Sequence, residues 1–212
     1  MKKYKAIIFD IDGTLLDTSE GILSSVDFVI NTMNLTKINS VTKQSFIGPM
    51  IHNSFRNVYH LPEDKVYQAA NLFRKHYSEV DLDKAIPYEN ISELLSYLKE
   101  HHYRLGVATY KRQDYAEHIL KIFDIAKYFD YIVGSDFAGK LTKQEIIDTC
   151  VANIGVDKEK VLMIGDTDND KLGAEKAGVD FLAVTYGYGF KPKDNLYCAK
   201  ADTVTAIKNF IE

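Results

Sequence analysis

Ala6-Ile7-Ile8-Phe9-Asp10-Ile11-Asp12-Gly13-Thr14 is the stretch whose reading decides the architecture. Four consecutive apolar residues with no polar alternate are the pattern of a strand buried on both faces, and such strands belong to parallel sheets covered by helices. The run stops at two aspartates and a glycine, so acidic side chains stand where the strand ends. Runs of the same kind recur far downstream: 104–108 ending at Thr109, 131–133 ending at Gly134, 161–164 ending at Gly165-Asp166, and 181–184 ending at Thr185. Helical stripes lie among them. Ile91, Leu94, Leu95 and Leu98 form one, and Tyr115, Ile119, Leu120 and Phe123 another. A third, Ile146, Ile147, Cys150, Val151 and Ile154, is closed by Gly155 as a C-cap. Strands alternating with helices predict an α/β fold, a Rossmann-like parallel sheet with helices on both faces.

Residues 16–86 break that rhythm, with no buried strand. Ile22, Leu23, Val26, Val29, Ile30 and Met33 fall on one helical face. A second helix is predicted from near Val41, broken by Gly48-Pro49. Val66, Ala69, Ala70, Phe73 and Tyr77 mark another, started by Pro62-Glu63-Asp64. The predicted organisation is a catalytic core of residues 1–15 and 87–212 with an all-helical cap of residues 16–86 inserted into it, and Pro87 near the return hinge.

The 212 residues fit one domain plus an insertion, at roughly 150 residues per domain. With 46% hydrophobic and 26% charged residues the chain reads as an ordinary globular protein, not collagen-like, coiled-coil or disordered. The net charge, 26 − 30 = −4, argues against broad binding to a nucleic-acid backbone, which needs a basic face. Cys150 and Cys198 have no metal-ligand spacing and read as packed thiols of a reducing compartment. The apolar run after Met1-Lys2-Lys3 is too short for a secretory signal, and no stretch approaches the ~20 apolar residues of a membrane span. The expectation is therefore a cytoplasmic protein acting on a small molecule, without nucleic-acid or membrane partners, as a monomer or weak homodimer.

Ligands of open parallel sheets bind beyond the carboxyl ends of the strands. The residues there are Asp10, Asp12, Thr109, Asp166 and Asp170. Carboxylates crowded together repel each other, a divalent cation is the usual remedy, and hard oxygen ligands suit Mg²⁺. Asp10 and Asp12 share one strand end, so one is placed to act as nucleophile and the other as general acid and then base, with the Thr14 hydroxyl beside them.

Asp10-x-Asp12-Gly13-Thr14 after an apolar strand resembles the first motif of the haloacid dehalogenase superfamily of phosphotransfer enzymes. Thr109 at a strand end resembles the second, whose hydroxyl holds phosphate. Lys143 in Leu141-Thr142-Lys143-Gln144-Glu145 resembles the third, a lysine that neutralises nucleophile and phosphate, with Lys140 as an alternative. Gly165-Asp166-Thr167-x-x-Asp170 resembles the fourth, which binds metal. The resemblance covers essentially the whole chain. The opening Asp17-Thr18-Ser19-Glu20-Gly21-Ile22, the segment Phe46-Ile47-Gly48-Pro49 and the late Tyr186-Gly187-Tyr188-Gly189 are similar to the phosphoglycolate phosphatase-like branch with a small helical cap.

That resemblance implies a Mg²⁺-dependent phosphatase for a small phosphate monoester, such as phosphoglycolate, a nucleotide or a sugar phosphate, working through an aspartyl-phosphate. It implies Asp10, Asp12, Thr109 and Lys143 as catalytic residues. Asp10, Asp12 (through its carbonyl), Asp166 and Asp170 would serve the metal. Gly13, Thr14, Tyr110, Lys111 and, from the cap loop, Gly48 would serve the substrate. Tyr110 is a departure, because relatives often carry a small or amide side chain there. The alternatives are a phosphosugar mutase, disfavoured by the missing histidine after Asp17-Thr18, a pyrophosphatase, and, outside enzymes, a receiver-like phospho-aspartate switch.

Overall fold

The computed structural model describes residues 3–137, 139–196 and 198–212. Strand β1 (Ala6–Phe9) lies between β4 (Arg104–Arg112) and β6 (Val161–Gly165) and is parallel to both, with Phe9 opposite Val107 on one side and Ile164 on the other. Strand β5 (Tyr131–Ser135) follows outside β4, and β7 (Asp180–Val184) and β8 (Ala199–Ala201) follow outside β6. The resulting order is β5-β4-β1-β6-β7-β8, parallel throughout. Ile7, Ile8 and Phe9 are fully buried, as a strand with helices on both faces requires.

Helices α5 (Ile91–Glu100), α6 (Gln113–Ile122), α7 (Lys143–Ile154), α8 (Asp168–Ala177) and α9 (Val204–Ile211) belong to the same unit. Ile8, Ala108 and Met163 pack with Ile146, Ile147, Cys150 and Ile154 of α7 and Ala174 of α8 in one apolar cluster. Fully burying an Ile or Met side chain such as Ile8, Met163, Ile146 or Ile147 is worth about 1.5–3 kcal/mol of transfer free energy. Burial also pushes the Cys150 thiol up to about 12, so it stays a neutral, unreactive part of the core. Gly155 closes α7 in the left-handed conformation, φ +71°, as the sequence predicts.

Two strand features depart from the sequence reading. Strand β4 does not stop at Thr109 but runs to Arg112, with a shift of register against β5 between Ala108 and Arg112. Such bulges re-aim side chains beside functional sites. Strand β8, Ala-Lys-Ala, has no apolar run to announce it and exists by pairing with β7. The chain leaves β1 toward β4 and β5 but leaves β6 toward β7 and β8. The carboxyl ends of β1 and β6 therefore flank the point where connections diverge, the usual ligand position in open α/β sheets.

The chain divides into this sheet unit, formed by the segment ending at Asp17 together with Pro87–Glu212, and a helical unit, Thr18–Ile86. Two two-residue strands, β2 (Leu16–Asp17) and β3 (Ile86–Pro87), make a separate ribbon. The helical unit contains α1 (Ser19–Thr32), α2 (Ser40–Gln44), α3 (Ile51–Tyr59) and α4 (Glu63–His76), with a π-helical turn over Tyr77–Asp81. The helix expected from Val41 ends after five residues, and α3 begins beyond Gly48, whose φ is +98°. Val26, Val29 and Ile30 of α1, Val66, Ala69, Ala70 and Phe73 of α4, and Phe55 of α3 make its core. Inside it, buried Asp81 accepts from the Ser25 hydroxyl (2.7 Å) and pairs with His76 Nδ1 (3.0 Å) and Lys84 Nζ (2.8 Å). Among the described residues no helix is long and apolar enough to cross a membrane.

Candidate active site

The site grows out of the end of β1. The backbone N–H of Asp10 still donates to Ile164 O of β6 (3.0 Å), so the carboxylate leaves from a rigid strand. Gly13 then turns the chain at φ +81°, a conformation that L side chains resist, and the N–H groups of Thr14, Leu15 and Leu16 fold back onto Ile11 O. Asp10, Asp12 and Thr14 are all buried there. The Thr14 hydroxyl has no hydrogen-bond partner among the described residues.

Beyond β4, the bulge holds Thr109, Tyr110 and Lys111. The buried Thr109 hydroxyl accepts from the backbone N–H of Lys111 (3.2 Å), while Lys111 Nζ reaches Asp12 Oδ1 (3.0 Å). The Tyr110 side chain turns to α7, where its hydroxyl accepts the N–H of Lys143 (2.9 Å).

Helix α7 starts with a capping box that Thr142-x-x-Glu145 encodes. Glu145 N–H donates to Thr142 Oγ1 (3.3 Å), and Thr142 N–H donates to Glu145 Oε2 (2.8 Å). This start puts Lys143 in the first turn with its side chain inward, whereas Lys140 is exposed. Its stem passes α8 at Gly173, where a Cβ would come within 2.7 Å of Lys143 Cγ. Lys143 Nζ ends 2.8 Å from Asp10 Oδ1 and 2.6 Å from Asp170 Oδ1. The other oxygen of Asp170 accepts Thr167 N–H (3.0 Å) and Oγ1 (2.6 Å) in the capping box of α8.

Asp166, fully buried at the end of β6, is held differently. Its Oδ2 accepts the backbone N–H groups of Tyr188 (2.7 Å) and Gly189 (3.3 Å), and its Oδ1 has no partner among the described residues. Carboxylate oxygens of Asp10, Asp166 and Asp170 lie within 4.8 Å of one another. The Asp12 carboxylate is not part of that trio and faces Lys111 instead. Gly48 lies in the helical unit, between α2 and α3.

Electrostatics follow from burial and crowding. Burial pushes Asp10 up to about 6; Lys143 pulls it back, while Asp170 and Asp12 add to the rise. Asp166 is raised well above the ordinary carboxylate range by burial, with Asp170 and Asp10 adding to it. Burial disfavours the Lys143 ammonium, but Asp10 and Asp170 outweigh that and raise it. A buried acceptor left unpaired costs about 1–3 kcal/mol. The Asp166 oxygen is therefore suited to a hard divalent cation, and these three carboxylates fit one.

Within Tyr186-Gly187-Tyr188-Gly189, to which the resemblance assigns no residue role, the Tyr186 hydroxyl donates to Thr14 O (2.9 Å) and the Tyr188 hydroxyl to Asp17 Oδ1 (2.8 Å). No local pattern announces partners so far away. The two capping boxes, in contrast, are a readable signal.

The sequence profile of the haloacid dehalogenase-like hydrolases matches residues 7–184. A 5′-nucleotidase of Pseudomonas aeruginosa is 35% identical over 205 residues, covering 93% of this chain and 92% of that one. The pyrophosphatase PpaX of Halalkalibacterium halodurans is 32% identical over 190 residues, 89% of this chain and 86% of its own. A crystal structure described as a predicted phosphatase from Clostridium acetobutylicum superposes with a TM-score of 0.91 at 31% identity, covering 98% of both chains.

Proposed function

Because the chain belongs to the haloacid dehalogenase-like hydrolase family, we propose that it hydrolyses a small phosphate monoester with Asp10 as nucleophile and Mg²⁺ as cofactor. The observation that carries this reading is Lys143 Nζ between Asp10 (2.8 Å) and Asp170 (2.6 Å), beside an Asp166 oxygen without a partner among the described residues. Lys143 keeps Asp10 ionised for attack in a place where burial alone would favour the neutral acid.

Asp10 forms a bond to phosphorus as the ester P–O bond breaks, and Asp12 protonates the departing alkoxide. That proton transfer is worth about 10²–10⁴ in rate. In the second step Asp12 takes a proton from water, the water oxygen bonds to phosphorus, and phosphate leaves Asp10 free again. Lys111, 3.0 Å from Asp12 Oδ1, holds the acid beside the reacting group. The Thr109 and Thr14 hydroxyls cradle the phosphate oxygens. Asp10, Asp166 and the Asp12 carbonyl would hold Mg²⁺, with Asp170 orienting them; bound there, it supplies neutralisation of the charge that nucleophile and phosphate bring together.

The test is phosphate release from nucleoside monophosphates, phosphoglycolate, sugar phosphates and pyrophosphate, with Mg²⁺ or chelator, beside Asp10→Asn. The relatives named 5′-nucleotidase and pyrophosphatase put nucleoside monophosphates and pyrophosphate first in the panel. Expected is Mg²⁺-dependent release lost in the variant. Wild-type turnover by Asp10→Asn refutes the mechanism, and isomerisation of a phosphosugar without phosphate release replaces the hydrolase by a mutase.

A further inference from the structure

We propose that the turn Tyr186-Gly187-Tyr188-Gly189 is a positioning device that commits one oxygen of Asp166 to the protein and presents the other to the divalent cation. The proposal rests on the metal-dependent reading above and deepens it.

The turn grips Asp166 at both of its polar ends. The N–H groups of Tyr188 and Gly189 donate to Oδ2 at 2.7 and 3.3 Å, and the N–H of Phe190 donates to the Asp166 main-chain carbonyl at 2.8 Å. Three successive backbone donors thus hold one residue, leaving a single oxygen, Oδ1, without a partner among the described residues, within the trio formed with Asp10 and Asp170. Neutral donors also matter electrostatically. Asp10 and Asp170 share the Lys143 ammonium, but no cationic side chain pairs with Asp166 among the described residues. Its charge is therefore oriented without being cancelled, as a metal ligand requires.

The approach is possible only because side chains are missing where backbones converge. A Cβ on Gly187 would collide with the Gly13 carbonyl and the Asp166 carboxylate, one on Gly189 with the Asp166 carbonyl, and one on Gly13 with Asp166 Oδ2. Two tyrosine hydroxyls anchor the turn to the segment that follows β1. Tyr186 donates to Thr14 O (2.9 Å) and Tyr188 to Asp17 Oδ1 (2.8 Å), while the Tyr88 ring lies 4.7 Å from that of Tyr186. The loop after the nucleophile and the metal ligand of β6 are thereby fixed to one scaffold.

The experiment is calorimetric titration of the full chain with Mg²⁺ for the wild type, Gly187→Ala and Tyr188→Phe, with circular dichroism as the check of folding. Loss of a group that orients a metal ligand typically costs about 10–100-fold in affinity. Gly187→Ala is expected to weaken Mg²⁺ binding by about that factor. Tyr188→Phe keeps its backbone N–H and is expected to bind within about threefold of the wild type, since the proposal assigns the grip to the main chain. Should Gly187→Ala not fold, amide exchange in the metal-free wild type decides: the Tyr188 and Gly189 N–H groups must be protected, and Asp166→Ala must release them. Wild-type affinity in folded Gly187→Ala, an equal loss in Tyr188→Phe, or unprotected amides each overturn the positioning proposal. A wild type that takes up no Mg²⁺ overturns the metal reading itself and is a separate result.

Discussion

Lys143→Met asks whether one buried ammonium is what allows two carboxylates to share the interior. Methionine keeps the apolar stem that passes Gly173 and deletes the charge. The side chains involved are 4% exposed for Lys143, 9% for Asp10 and 1% for Asp170, so solvent cannot replace what is lost. Two hydrogen bonds to charged groups, at about 1.5–3 kcal/mol each, total about 3–6 kcal/mol. Removing one partner of a buried ion pair independently costs about 3–5 kcal/mol. One effect limits the loss. Asp10 is already pushed up to about 6 with Lys143 in place, so without it the carboxyl takes up a proton near neutral pH and stops being an uncompensated charge. The expected destabilisation is therefore at the lower end, about 3 kcal/mol in metal-free protein. The assay is urea unfolding followed by circular dichroism in chelator at pH 7, with equal slopes for variant and wild type as the condition for comparing midpoints. Adding Asp170→Asn to Lys143→Met should recover at least about 1 kcal/mol, because the second stranded charge is then gone. A loss within the about 0.5 kcal/mol typical of surface changes, or no coupling to Asp170→Asn, refutes the reasoning.

Three further outcomes follow from the same structure. Mg²⁺ at about 100 times its Kd should raise the unfolding free energy by about 2.7 kcal/mol, with chelator or Asp166→Asn abolishing the gain; identical melting in Mg²⁺ and chelator counts against the carboxylate trio as a metal site. In the helical unit, burial pushes Asp81 up, but bonds from Lys84, Ser25 and Ser24 outweigh it and hold the carboxyl below its usual range. That stability is fully present above the unfolded value of about 3.9 and is lost as pH falls through the lower folded value, so acid unfolding of Asp81→Asn should be less steep than that of the wild type below about pH 4. Thr142→Ala removes the α7 cap and should cost about 1 kcal/mol, whereas Thr142→Ser should retain most of it; equal stability of the two variants would contradict the cap.

Where burial acts on a continuous segment, the sequence announces the fold. Ala6–Phe9 is apolar at every position because helices cover both faces of β1, and the strand is found with those bounds. Ala199–Ala201 is invisible for the converse reason: an edge strand with a lysine at its centre is defined by the β7 backbone beside it, not by its own side chains. The stretch from Thr109 to Arg112 falls between these cases, since a bulge has no periodicity to read.

The site divides along the same line. Asp10, Asp12 and Asp166 stand out because carboxylates at the ends of buried strands have no structural reason to be there, whereas Asp170 also serves the cap of α8. What Asp10 and Asp12 touch is set by separations no window spans, 133 residues between Asp10 and Lys143. One such contact was nevertheless encoded locally. Thr142-x-x-Glu145 fixes where α7 begins, which places Lys143 in its first turn and leaves Lys140 outside the helix, so the capping box supports the choice of Lys143 over its alternative Lys140. The tyrosines show the opposite limit. Tyr186 and Tyr188 stand in the sequence only as part of a stretch similar to the phosphoglycolate phosphatase-like branch, yet their hydroxyls hold the carbonyl of Thr14 and the carboxylate of Asp17, and the glycines beside them matter through the absence of a Cβ where three backbones meet. A residue that works by leaving space, or by its main-chain N–H, writes nothing into side-chain chemistry. The groups that orient Asp166 therefore become visible only once the loops after β1 and β6 are brought together by the sheet.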